Sequence, residues 1–260
     1  LEMYSIGIVE GALTSRASAI AFSFFTAIFP FLLFIIIIIP FIPFEGFQFQ
    51  FLSFLDTFLP PQTSEFFNQN IFENITTTSQ GSLLSTVFLL SIFLMANGVN
   101  AILGGFEYSY HVTEMRNMVR QYLVSMGMAI LLSLTLIFTV AVLVYFEIGI
   151  ENLKSKGWLE DDLFWIEKGQ FLFFVLLIFV SVSFLYKYGT KEVKHLSFFN
   201  AGSILTTLLT LAMFKLFGIY VLKFATYNQL YGSIGTLLVL MLFVWLNSII
   251  LLLGFELNAS

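Results

Sequence analysis

Twenty-four consecutive residues, Gly232 through Phe255, carry no charge, and Glu256 and Asn258 follow at once. A soluble helix rarely needs more than about a dozen apolar residues in a row, whereas a bilayer crossing needs about 20. The stretch therefore sets the solvent of the chain, which is hydrocarbon. A carboxylate at the end of such a span is costly unless it is paired or wetted, so Glu256 needs an explanation.

Five other stretches share this character. The charge-poor segments are 17–42, 81–106, 121–146, 169–186, 196–221 and 232–256. The shortest still provides about 27 Å of helix, enough to cross. The expected fold is all-α: a polytopic membrane protein with a six-transmembrane-helix bundle, forming one integral membrane domain over 1–260. A composition of 58% hydrophobic and 10% charged residues, with mean hydropathy +0.94, lies outside the soluble range and agrees. Pro30 inside the first span removes a backbone N–H, so a bend is expected there. In 44–80, Phe47, Phe51, Phe54 and Phe58, then Phe67, Ile71 and Ile75, recur at helical spacing around Pro60 and Pro61. That spacing predicts a short amphipathic helical pair on the outer face of the membrane.

The bases orient the bundle. With the N-terminus in the cytoplasm, the inner segments carry Arg16, Arg116, Arg120, Lys187, Lys191 and Lys194, and the outer ones Lys154, Lys156, Lys168 and Lys223. This bias favours both termini in the cytoplasm. No basic n-region with a cleavage site is visible, so no cleavable signal peptide is expected, and the missing initiator Met implies a natural start further upstream.

Several functions are disfavoured by what the chain contains. Sixteen acids against 11 bases give a net charge of −5, which offers no basic surface to nucleic acid. The absence of cysteine removes disulfides, thiolate catalysis and Cys-ligated metal, and His111 and His195 are too few for a His-built metal site. A hydrolytic ribonuclease needs a metal- or His-based constellation beside a phosphate site. No catalytic, cofactor-binding or metal residue is therefore assigned, no cofactor is expected, and the chain reads as a non-enzyme.

Three blocks carry a family resemblance. The first is Ala17 to Pro30, an Ala-rich opening helix with a Thr-x-x-x-Pro end. The second is Asn100-Ala-Ile, running on to Tyr108 and Tyr110 before a basic loop. The third is Tyr231-Gly232-Ser233, Trp245 and the ending Gly254-Phe255-Glu256-Leu257-Asn258. Together they resemble the BrkB/YihY family of bacterial inner-membrane proteins, formerly named ribonuclease BN. Phe255 stands where that family usually has Ala, and Gly104 to Glu107 replace a shorter, more polar end. The resemblance implies a six-helix bundle in the bacterial inner (plasma) membrane with a lipid-related transport role.

Seven polar residues are candidates for a polar path or gate: Arg16, Asn97, Asn100, Glu107, Lys215, Glu256 and Asn258. Lys215 lies deep in the fifth span, where it either snorkels to the outer interface or pairs with a carboxylate in a wet cavity. Glu256 and Asn258 either rest among headgroups or turn inward, with Glu256 facing Arg16 from the same side as a latch or half of a gate. Asn97 and Asn100, three residues apart, share one helix face and suit interhelical hydrogen bonds or a polar path. Glu107 is expected at the interface near Arg116 and Arg120. Gly98, Gly104, Gly105, Gly232 and Gly235 read as sites of close helix approach.

Two functional readings follow. One is a transporter or translocator of a lipid-like or amphipathic substrate, with membrane lipids as its partners. The alternative is a non-transporting scaffold that anchors an envelope protein. A hydrated mid-membrane cavity holding Lys215 or Asn100 favours the first, and a solid bundle of Phe and Leu the second.

Overall fold

A computed structural model describes residues 12–38, 81–109, 112, 115–155, 162–191, 197–224 and 233–259. Among them the chain forms six α-helices and no strand: α1 (Leu13–Ile38), α2 (Gly81–Glu107), α3 (Met118–Ser155), α4 (Asp162–Gly189), α5 (Ala201–Phe224) and α6 (Ser233–Ala259). All six are long and apolar enough to cross a membrane. The expected amphipathic pair over 44–80 lies outside the described residues, as do His111, Glu114, His195, Glu160 and Asp161.

Helix limits depart from the charge-poor limits for local reasons. The fourth span, read as 169–186, is a 28-residue helix that takes in Trp165, Glu167 and Lys168. Charged side chains leave the hydrocarbon but do not stop a helix, since Glu and Lys are good helix formers. For the same reason α3 reaches 38 residues, far beyond the third span's limits of 121–146. The fifth span starts at Ala201 instead of 196 because Asn200 caps it. Asn200 Oδ1 accepts the Ser203 N–H at 2.7 Å, and Ser203 Oγ accepts the Asn200 N–H at 3.4 Å, which satisfies the first-turn donors reciprocally. Asn117 does the same for α3, its Oδ1 accepting the Val119 N–H at 3.3 Å.

Large apolar side chains cover the outward faces. Leu89 is 66% exposed and Phe138 70% exposed, positions untenable in water over so long a surface and natural against lipid tails. Hydroxyls within the spans mostly bond their own helix. Thr135 donates to the Leu131 carbonyl and Thr139 to the Thr135 carbonyl, both at 2.8 Å, so they need no polar neighbour.

The chain divides into two compact units. One comprises Leu1–Ile28, Met95–Ile130 and Val175–Ser260, and the other Phe29–Leu94 and Leu131–Phe174. The second unit is held by ring packing: Phe34 stacks on Phe88 at 5.3 Å, and Phe146 meets Phe173 edge-on at 5.7 Å. The first unit contains α5 and α6 packed together, and it carries the buried polar groups described next.

Candidate functional site

Within the first unit, α1, α3 and α5 begin where α2, α4 and α6 end, and the polar residues of these termini converge. Arg16, one turn into α1, and Glu256, in the last turn of α6, are both buried. Arg16 Nη2 donates to Glu256 Oε1 at 2.7 Å, and Arg16 Nη1 donates to the Gly105 carbonyl at 2.8 Å. Ser109 Oγ donates to the other carboxylate oxygen at 2.7 Å. Charge-assisted bonds of this length are the strong kind, and they hold α1, α2, α6 and the turn after α2 to one point. Of the seven candidates, Arg16 and Glu256 are the two that meet directly.

Asn258, half a turn beyond Glu256, works on α5. Its Oδ1 accepts the Gly202 N–H at 2.8 Å and its Nδ2 donates to Asn200 Oδ1 at 2.8 Å. The start of a helix leaves N–H groups without partners, and here a side chain from a neighbouring helix supplies one. The contact requires backbone-to-backbone approach. A Cβ on Gly254 would lie 2.8 Å from the Gly202 carbonyl and 2.5 Å from the Tyr186 hydroxyl, and it would also collide with Thr206 Oγ1. Tyr186, fully buried, links its hydroxyl to Thr206 Oγ1 at 2.5 Å and to the Leu251 carbonyl at 2.7 Å. Phe255 stacks on Phe106 at 4.3 Å beside Tyr186, an apolar floor next to the ion pair that an Ala at 255 could not build.

The other candidates go elsewhere. Glu107, expected near Arg116 and Arg120, is 4% exposed, with Gln121 and Arg116 against it. In the amide orientation that satisfies both its ends, Gln121 donates to Glu107 Oε2 at 3.2 Å and accepts from the Gly104 N–H. Arg116 itself donates to the Gly189 carbonyl at 2.6 Å and the Tyr188 carbonyl at 2.9 Å, closing the end of α4 with a cation where the helix dipole favours one. Burial draws its pKa below the usual arginine value, Glu107 opposes that shift, and Arg120 adds to it. Asn97 and Asn100 both face α3: Tyr122 donates to Asn97 Oδ1 at 3.1 Å and Ser125 to Asn100 Oδ1 at 3.3 Å. Lys215 is exposed on α5, as its snorkelling reading requires.

The same unit contains a cavity of about 320 Å³ between α1, α2, α4, α5 and α6. Ile20, Ile102, Val182, Thr210, Phe243 and Asn247 help line it, no charged residue does, and neither Lys215 nor Asn100 belongs to it. Phe24 and Phe214, also in its lining, are 43% and 37% exposed, so the cleft is reachable from the hydrocarbon around the helices. It is therefore neither the hydrated path nor the solid core that the sequence posed as alternatives.

Sequence reasoning missed Ser109, Asn200, Tyr186, Thr206 and the capping role of Arg116. Asn200 and Ser203 carry a cap signature at the right spacing and could have been found. Tyr186 sits in an apolar run and gives no signal.

A family model described as "Virulence factor BrkB" matches residues 7–260. A protein of Bacillus subtilis (strain 168) named "Putative ribonuclease-like protein YfkH" is 29% identical over 253 residues, covering 94% of this chain and 88% of that protein. No solved structure matches.

Proposed function

The chain belongs to the BrkB family of membrane proteins, and from that premise we propose that it is a non-enzymatic protein that moves a lipid-like, amphipathic molecule across the bilayer. The observation that carries this reading is the cleft of about 320 Å³, apolar and open toward lipid. A water-filled path would suit an ion. A cleft lined by Ile20, Ile102 and Val182 suits a hydrocarbon chain, whose transfer from lipid into such a lining costs little. The buried ion pair beside it acts as a latch that keeps α1 and α6 together while the cleft is occupied.

The name of the Bacillus relative concerns ribonuclease-like chemistry. For this chain a net charge of −5 argues against an RNA substrate, and both oxygens of the buried Glu256 carboxylate are engaged, by Arg16 and Ser109. The proposed setting is the inner membrane with both termini cytoplasmic. Because the chain has no cysteine, Phe199→Cys can be labelled alone. A membrane-impermeant maleimide should reach it only after lysis, and labelling in intact spheroplasts would reverse the orientation.

Transport is tested by the rate at which a fluorescent phospholipid changes leaflet in proteoliposomes. Wild type should exceed empty liposomes, and Leu177→Trp, which fills the cleft, should return the rate to that of empty liposomes. A wild-type rate equal to empty liposomes rejects the reading. The scaffold alternative has its own support: Arg16, Glu256 and Asn258 hold helices together, and Asn97 and Asn100 bond α3. Crosslinking that recovers an envelope protein, with no lipid movement, would establish it.

A further inference from the structure

Charge is distributed unevenly where α2 and α4 end and α3 begins. Over 107–120 and 187–195 the sequence carries five bases and three acids. Of the acids, Glu107 is buried against Arg116 and Gln121, while Glu114 and Glu192 lie outside the described residues. Arg116 is buried too, its guanidinium turned onto the Tyr188 and Gly189 carbonyls. That staple sets the start of α3 against the end of α4 and gathers two further bases around the Arg116–Glu107 pair. Arg120, one turn after Arg116, lies near enough to act on its charge, and Lys191 acts on Glu107. Arg120 is exposed and Lys191 partly so. Among the described residues here, the carboxylate is turned inward and the surface presents cations.

The same surface is apolar as well. Met118, Val119 and Leu123 are each more than half exposed. Arg120, three residues before Leu123, shares its side of α3. These residues stand at the ends of helices long enough to cross a bilayer, which puts the cations at headgroup depth and Leu123 beside the first acyl carbons. Cations above hydrocarbon fit an anionic phospholipid, whose phosphate has no ammonium beside it. A choline headgroup would set its own cation against Arg120 and Lys191. An acidic peptide would meet the cations and leave Leu123 unused.

We propose that Arg120 and Lys191 form a site for one anionic phospholipid, its phosphate between the two cations and an acyl chain against Met118, Val119 and Leu123. The site goes beyond the transport reading and serves a lipid mover and a scaffold alike, since no residue of the cleft takes part.

The test uses the full chain in phosphatidylcholine nanodiscs holding a trace of probe lipid, either a phosphatidylglycerol or a phosphatidylcholine with the same diazirine on an upper acyl carbon. The phosphatidylglycerol probe should crosslink Met118 to Leu123 more heavily than the phosphatidylcholine probe. Arg120→Gln and Lys191→Gln should each cut that excess about fivefold, the effect of one cation at a membrane surface. Neither change touches a buried side chain, so the unfolding midpoint should stay where it is. Lys154→Gln, in the last turn of α3, should leave the excess unchanged, and salt at about 0.5 M should shrink it. Equal crosslinking by the two probes in the wild type overturns the proposal, as does an excess that survives Arg120→Gln combined with Lys191→Gln. Equal crosslinking together with polyglutamate binding that Arg120→Gln abolishes would overturn it in favour of an acidic peptide.

Discussion

Glu256 and Lys215 are both charges on helices of bilayer length, and their helices, α6 and α5, pack against each other, yet their surroundings are opposite. Glu256 is fully buried and accepts from Arg16 and Ser109 at 2.7 Å each. Lys215 is exposed among apolar neighbours such as Leu216, itself 64% exposed. Chain length accounts for the difference. A carboxylate on a two-carbon stem cannot reach water from inside a bundle and must find a partner, whereas a lysine stem reaches outward by itself. A charge in a span is thus no guide to a path until its reach is considered.

The largest effect should come from breaking the buried pair. Arg16→Ala leaves Glu256 uncompensated and should cost on the order of 3–5 kcal/mol, read as a fall in the unfolding midpoint in detergent. Arg16→Met combined with Glu256→Leu removes both charges and should recover most of that loss. A double variant as unstable as Arg16→Ala would show that the pair itself, and not the orphaned charge, is what matters.

Gly254→Leu comes next. Its side chain must enter space held by Tyr186, Thr206 and the Gly202 carbonyl, for about 1–3 kcal/mol or more of overpacking. Gly127→Leu, where nothing lies within 4 Å of a new Cβ, serves as the control in the same unfolding assay and should be tolerated.

Asn258→Ala removes the acceptor for the Gly202 N–H at the start of α5 and should cost about 1 kcal/mol. Hydrogen exchange should then rise at the Gly202 amide before any change in α1. Lys215→Leu should leave the unfolding midpoint where it was. A marked loss would place its ammonium in a specific contact and erase the contrast with Glu256.

Much of this was open to reading from the chain. The six crossings follow from hydropathy, and the shared end of Arg16 and Glu256 follows from counting them. Gln121, by contrast, stands three residues into α3 with nothing to mark it as the cover of Glu107. In the sequence Phe255 stands only as a departure from the family pattern. Its packing on Phe106 is what makes the departure intelligible, since a ring there fills the floor beside the carboxylate. The cap at Asn200 was legible in principle, but a charge-poor stretch shows where lipid ends and not where a helix starts.

The solvent, the number of crossings and the family are legible in the chain alone, because an apolar run of about 20 residues is a local property that any fold must respect. Which polar groups meet follows from packing alone. Arg16 and Glu256 lie 240 positions apart, and Gly202 and Asn258 lie 56 apart. Whether such residues touch depends on how close two helices come, and that distance is set by small residues such as Gly202 and Gly254 packing face to face.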